Sequence, residues 1–253
     1  TDANIDSTGM RNLTISGELD AATLDVSGDI DVDGTSNLDA VDIDVSLDVD
    51  GTIKLDGNYP TGSDNVALGN TALDSVQGGG SGNTAIGNNA LTAVTTADEN
   101  TAVGQNTLRT NVQAKNTAVG ASALCANDNG YDNTGVGRTA LNKNTGGYGN
   151  TAVGSCASES NTSGDYNTGV GYASLLANTT ANNNVAVGNV ALTANTTGTS
   201  NVSVGSHSLQ ANTTASNNTA VGYQALNDNT TGANSVAVGC GALENNTIGD
   251  QNT

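Results

Sequence analysis

At 253 residues the chain is long enough for one or two ordinary globular domains, yet it has no Trp, no Phe and only 2% aromatic residues. Its 35% of hydrophobic residues are mostly Ala and Val, which excludes a central core built from large side chains. A net charge of −19, with only 6 Lys and Arg in all, excludes the clustered basic surface needed to bind nucleic-acid backbone or anionic lipid. No run of 18 apolar residues is present, so no transmembrane helix is predicted and membrane insertion is not expected. What remains is a choice between disorder and a repeat fold, and periodicity decides it.

Residues 1–64 are the acidic part, with fifteen Asp and Glu against Arg11 and Lys54. Gly17, Gly34 and Gly51 lie 17 apart, preceded by Leu13-Thr14-Ile15, Ile30-Asp31-Val32 and Leu47-Asp48-Val49. Alternation of Asp with Ile, Val and Leu predicts β-strands with one wet face, here an acidic β-shaft over 1–64. The run Asp29-x-Asp31-x-Asp33-Gly34 imitates half of an EF-hand loop, but Ala40 stands where that loop needs a bidentate Glu. The expected reading is a solvated acidic face. The alternative is Ca²⁺ held between stacked or inter-chain Asp rows, since neighbouring carboxylates repel unless a cation joins them. No other cofactor is expected.

From residue 65 onward a motif of the form Asn-Thr-Ala-Val-Gly-x-x-Ala-Leu recurs, beginning at Asn65 and repeating through Asn83, Asn100, Asn116, Asn133, Asn150, Asn167, Asn184, Asn201, Asn218 and Ser235. The spacings are 18, 17, 16 and then 17 throughout, so disorder is excluded. The array is read as eleven copies over 65–253, with a further incomplete copy from Asn252 that predicts continuation past the last residue. A period of 17 is too short for a helix pair and predicts one coil of an all-β parallel β-solenoid or β-roll. Each coil is read as a strand, a Gly turn, a second strand and a polar turn. Period-two alternation puts Thr101 and Val103 on one face and Asn100 and Ala102 on the other. Because the Val103 position is always Val, Ile or Leu, that face is expected to point inward, as at Val187 and Val221. Gly104, Gly188 and Gly222 are expected at the turn, and Leu108, Leu192 and Leu226 as the second inward anchor, with Ser158 the exception. From the copy at Asn100 onward Asn recurs eleven residues after the motif start, as at Asn195 and Asn229, and stacked Asn amides are expected to hydrogen-bond along the fibre axis. One Val and one Leu per coil fall short of the entropy of ordering it, so three chains sharing an apolar seam, a homotrimeric fibre, are expected.

Little is available for catalysis. His207 is the only histidine, at a position that varies among copies, and reads as an exposed outer residue. Cys125, Cys156 and Cys240 lack metal-ligand spacing and read as small fillers at Ala-like positions. Gly78-Gly79-Gly80-Ser81-Gly82 is followed by no Lys-Ser/Thr and reads as an expanded turn. The sequons at Asn178, Asn195, Asn212 and Asn229 match glycosylation acceptors by chance more readily than by use. The chain is not expected to be an enzyme.

The strings Asn234-Ser235-Val236-Ala237-Val238-Gly239 and Asn183-Asn184-Val185-Ala186-Val187-Gly188 resemble the head repeat of YadA-like trimeric autotransporter adhesins, whose heads are three-chain parallel β-rolls that bind host surfaces. Asn218-Thr219-Ala220-Val221-Gly222-Tyr223-Gln224-Ala225-Leu226 is similar to repeats of bacteriophage tail fibres, and the acidic run 24–34 resembles phage fibre shafts. The resemblance implies a homotrimeric tail-fibre segment in the virion, with other tail proteins and a host-surface receptor as partners. The alternative it implies is the head or stalk of a bacterial surface adhesin. An ice-binding solenoid would need a flat outward array of Thr, which the expected inward parity of Thr101 opposes.

Overall fold

The computed structural model describes residues 63–76 and 79–253. The readings of the acidic segment, its glycine spacing and its Asp rows, fall on residues 1–62 and lie outside the described residues. The repeat array is a parallel β-solenoid. Its three-residue strands are β1 (Val66–Leu68), β2 (Thr84–Ile86), β3 (Thr101–Val103), β4 (Thr117–Val119), β5 (Thr134–Val136), β6 (Thr151–Val153), β7 (Thr168–Val170), β8 (Val185–Val187), β9 (Val202–Val204), β10 (Thr219–Val221) and β11 (Val236–Val238). They form one eleven-stranded sheet in strict chain order, every neighbour parallel. Register follows the repeat: Thr84 pairs with Thr101, Thr101 with Thr117 and Val185 with Val202. The spacing of 16 between Asn100 and Asn116 therefore shortens a turn and leaves the pairing intact. At about 4.8 Å per rung the sheet extends roughly 48 Å along the stack.

Each rung contributes one strand, not two. The segment read as a second strand is a run of tight turns, because two of its residues take left-handed backbone: Val190 at φ 50° and Leu192 at φ 51° in one rung, His207 at φ 60° and Leu209 at φ 47° in the next. A third left-handed residue, such as Asn183 at φ 59°, stands immediately before each motif. Left-handed backbone costs an L-residue about 1–2 kcal/mol. The leucine offsets this by burying its whole side chain, worth about 1.5–3 kcal/mol. Its N–H also bonds the next rung, as Leu192 does to the Ser208 carbonyl at 3.0 Å.

The orientation of the strand is opposite to the sequence expectation. Ala102 and Ala186 are fully buried, whereas Ile86, Val153 and Val221 remain 37%, 38% and 36% exposed. Val103 and Val187 are half-buried on the same outer face, beside Thr101 and Val185. The cause is the width of the coil. The leucine of one rung lies against the middle strand residue of the next: a Cβ built on Gly135 would sit 3.3 Å from Leu124 Cδ1. Only Ala, Gly or Ser fits there, so the larger Val is turned to the outside.

Leucine and alanine fill the core, with Leu108, Leu192 and Leu226 completely buried. The core is interrupted once. Ser158 replaces leucine, its buried Oγ has no hydrogen-bond partner, and the apolar cluster ending at Ala157 is separate from the one that begins at Leu175.

Candidate functional site

Two asparagine ladders hold the inner surface of the coil, and both are buried. In the first, the side-chain oxygen of one motif asparagine accepts the backbone N–H of the next: Asn83 from Asn100 at 3.0 Å, Asn184 from Asn201 at 3.0 Å, Asn201 from Asn218 at 3.0 Å. The amide group also donates across the coil, Asn184 to the Gly198 carbonyl and Asn218 to the Gly232 carbonyl, each at 2.9 Å. In the second ladder amide donates directly to amide, Asn195 to Asn178 at 3.1 Å, Asn212 to Asn195 at 2.9 Å and Asn229 to Asn212 at 3.1 Å. The same nitrogen closes its own turn on the carbonyl three residues ahead, Asn195 on Gly198 at 2.9 Å. Asparagine suits both places because one side chain supplies donors and an acceptor on a short stem, and a buried backbone group without a partner is costly. With their side chains committed in this way, the sequons at Asn178, Asn195, Asn212 and Asn229 are inaccessible in the folded chain.

The motif glycine ends the strand where two rungs approach closely. Gly188 has φ 141°, and a Cβ there would lie 2.5 Å from the Gly205 carbonyl oxygen. Gly104 and Gly222 occupy the same place in their rungs, at φ 132° and 135°. The polar corner carries a further ladder that the sequence reading missed: the hydroxyls of Thr162, Thr179, Thr196 and Thr213 each donate to the carbonyl of the corresponding threonine one rung on, at 2.9–3.2 Å. Its sequence signal was the recurrent Thr following the second asparagine.

Asn100, Gly104, Leu108, Asn184, Gly188, Leu192, Asn195, Asn218, Gly222, Leu226 and Asn229 thus lie inside or at the corners of the coil and are occupied by one another. Val103, Val187 and Val221 belong to a different surface. With the outer Thr and Val residues of the same strands they form a two-column grid over eleven rungs, one column Val, Ile or Leu throughout, the other Thr or Val. Such a contiguous, half-exposed apolar sheet face is a candidate binding surface. The signal for this orientation was present in the sequence: the middle strand position is always Ala, Gly or Ser, and a position restricted to small residues marks tight packing.

The remaining candidates sit outside. His207 is half-buried, its Nδ1 2.8 Å from Gln210 Oε1 and its ring 6.1 Å from that of Tyr223. The cysteines, read as small fillers at Ala-like positions, lie outside the buried core: Cys125 and Cys156 are half-buried and Cys240 exposed. Cys156 occupies one of the left-handed turn positions, at φ 59°, and its Sγ accepts the Thr139 hydroxyl at 3.4 Å. Among the described residues no group of three His, Cys, Asp or Glu is placed to hold a metal ion, and no helix is long and apolar enough to cross a membrane. Compared with known proteins, the chain matches no family model, no curated protein and no solved structure.

Proposed function

We propose that this chain is a non-catalytic structural segment of a viral tail fibre, in which three copies meet along the outward Thr/Val face and present a rigid shaft for attachment to a host cell. The observation that carries this reading is the pairing of an interior already filled by leucine, alanine and hydrogen-bonded asparagine with an apolar sheet face that has no partner in the single chain. A continuous column of Val, Ile and Leu side chains is costly to leave in water over eleven rungs; at Ile86 alone more than a third of the residue is accessible. Three such faces packed about one axis would remove them from solvent. Repetition then spaces weak contacts along the shaft, where avidity multiplies them. The resemblance of Asn218–Leu226 to tail-fibre repeats favours the virion over the bacterial surface adhesin. Sedimentation equilibrium tests the reading: a trimer is expected, and a folded monomer at all concentrations overturns it.

A second reading is favoured by one observation, the outward orientation of Thr84, Thr101, Thr117, Thr134, Thr151 and Thr168 in a single column. An ordered, outward Thr/Val grid is what an ice-binding solenoid would need, and that role competes for the same face. Thermal hysteresis at micromolar concentration from a monomeric protein would establish it in place of the trimer.

A further inference from the structure

Tyr172 and Tyr223 each follow a motif glycine, whereas Tyr131, Tyr148 and Tyr166 stand on three consecutive rungs, at the corner just before the motif asparagine. Other rungs carry small or polar residues there, such as Thr199-Ser200, Ser216-Asn217 and Ala233-Asn234. The rings of Tyr131 and Tyr148 are stacked at 4.8 Å and 3° apart in plane, and Tyr166 meets Tyr148 edge to face at 5.1 Å. Tyr166 is 58% exposed and Tyr131 43%. The backbone beneath makes room for this arrangement. At Gly149 a Cβ would lie 2.8 Å from Tyr166 Cδ1 and 2.9 Å from Cε1, so the Cδ1–Cε1 edge of the Tyr166 ring rests over Gly149 and the residue stays 58% exposed. The corner is also anchored by charge: Asp165 Oδ1 accepts the Tyr148 N–H at 3.1 Å, and Asp132 is exposed beside Tyr131.

We propose that this tyrosine corner is a binding site for an uncharged pyranose ring of a surface glycan. Rings that lock one another present a large, rigid, amphipathic contact at low entropic cost, the property that makes tyrosine a favoured anchor in recognition surfaces. A pyranose offers the matching chemistry, an apolar C–H face for the ring and hydroxyl donors for the carboxylates at Asp132 and Asp165. Those carboxylates, in a chain of net charge −19, repel an acidic sugar, so charge complementarity selects a neutral one. This assignment rests on the attachment role proposed above and supplies the ligand class for it.

The test is saturation-transfer NMR on the whole chain with methyl β-galactopyranoside as the neutral probe and a methyl sialoside as the acidic one. Transfer to the galactoside ring protons is expected, with little to the sialoside. Tyr166→Asn is expected to reduce the galactoside signal about tenfold, the loss of one ring contact. The variant keeps the rung, since Asn183, Asn217 and Asn234 hold the same position at φ 59°, 61° and 56°. Tyr166→Phe is expected to retain binding. Absence of transfer to the galactoside, equal transfer to both probes, or a Tyr166→Asn variant that binds as well as the parent overturns the site. A trimer with no galactoside binding removes only this site, whereas a monomer that binds the galactoside removes the fibre reading and leaves the site standing.

Discussion

The interior of the coil and its outward strand face use the same backbone in opposite ways. Inside, Asn184 and Asn195 have their polar atoms paired with the neighbouring rung or across the coil, and Leu192 is sealed from solvent. Outside, Val153 and Val221 keep more than a third of their surface accessible although they alternate with fully buried alanines. Strict repetition of asparagine inside is a requirement of stacking, because each amide bonds its counterpart one rung away. On the outer face no such bond exists, so Thr and Val exchange freely at one column while the other stays apolar.

That contrast can be broken from the inside. Gly188→Ala is expected to have the largest effect, about 4 kcal/mol or more, because φ 141° is unsuited to alanine and the new Cβ meets the Gly205 backbone. A chemical melt should show a large fall in midpoint. Asn184→Ala comes next. It orphans the buried Asn201 N–H, while the Gly198 carbonyl keeps the Asn195 amide, and one unpaired buried group makes a loss of about 2 kcal/mol the expected result of the same measurement.

Ser158→Leu sharpens the comparison in the opposite direction. It removes the unpaired buried hydroxyl and rejoins the two apolar clusters, and Leu124 already packs against a glycine in the next rung as the new leucine would against Gly169. A gain of about 2 kcal/mol is expected, read as a higher melting temperature. On the outer face, Val187→Asp is expected to change the stability of the single chain by about 1 kcal/mol or less while shifting sedimentation from trimer to monomer. An unchanged trimer would place the interface on another face. The smallest effect concerns pH. The Tyr148 phenol is held above its ordinary value of 10.0 by its hydrogen bond with Tyr166 and then by the charge of Asp165. A raised folded-state value means that this contribution is present below pH 10 and lost as pH rises through the folded pKa. Tyrosinate absorbance should therefore develop later in the parent than in an Asp165→Asn variant.

Much of the fold was legible because stacking repeats its demands. A near-constant interval of 17, glycine at one place in every copy and asparagine at two places in most of them specify a parallel coil whose like residues lie over like. Leu108, Leu192 and Leu226 were identifiable as core residues for the same reason. Which way the strand faces was not legible from Val103, because hydrophobicity alone assigns valine to the interior. The width of the coil overruled it, and the small residues at Ala102, Gly135 and Ser203 were the better guide. The left-handed leucines were hidden for a related reason: local preference opposes φ near 50°, and only rung-to-rung hydrogen bonds with complete burial make the conformation stable.

The sequence by itself determined the rung length, the register and the residues that bond their own copies, because these follow from periodicity and side-chain chemistry. Only the tertiary structure decided the facing of Thr and Val, the single strand per rung and the gathering of Tyr131, Tyr148 and Tyr166 at one corner. These depend on how much volume the coil encloses and where its turns place side chains from successive rungs, neither of which is a property of any local stretch of chain.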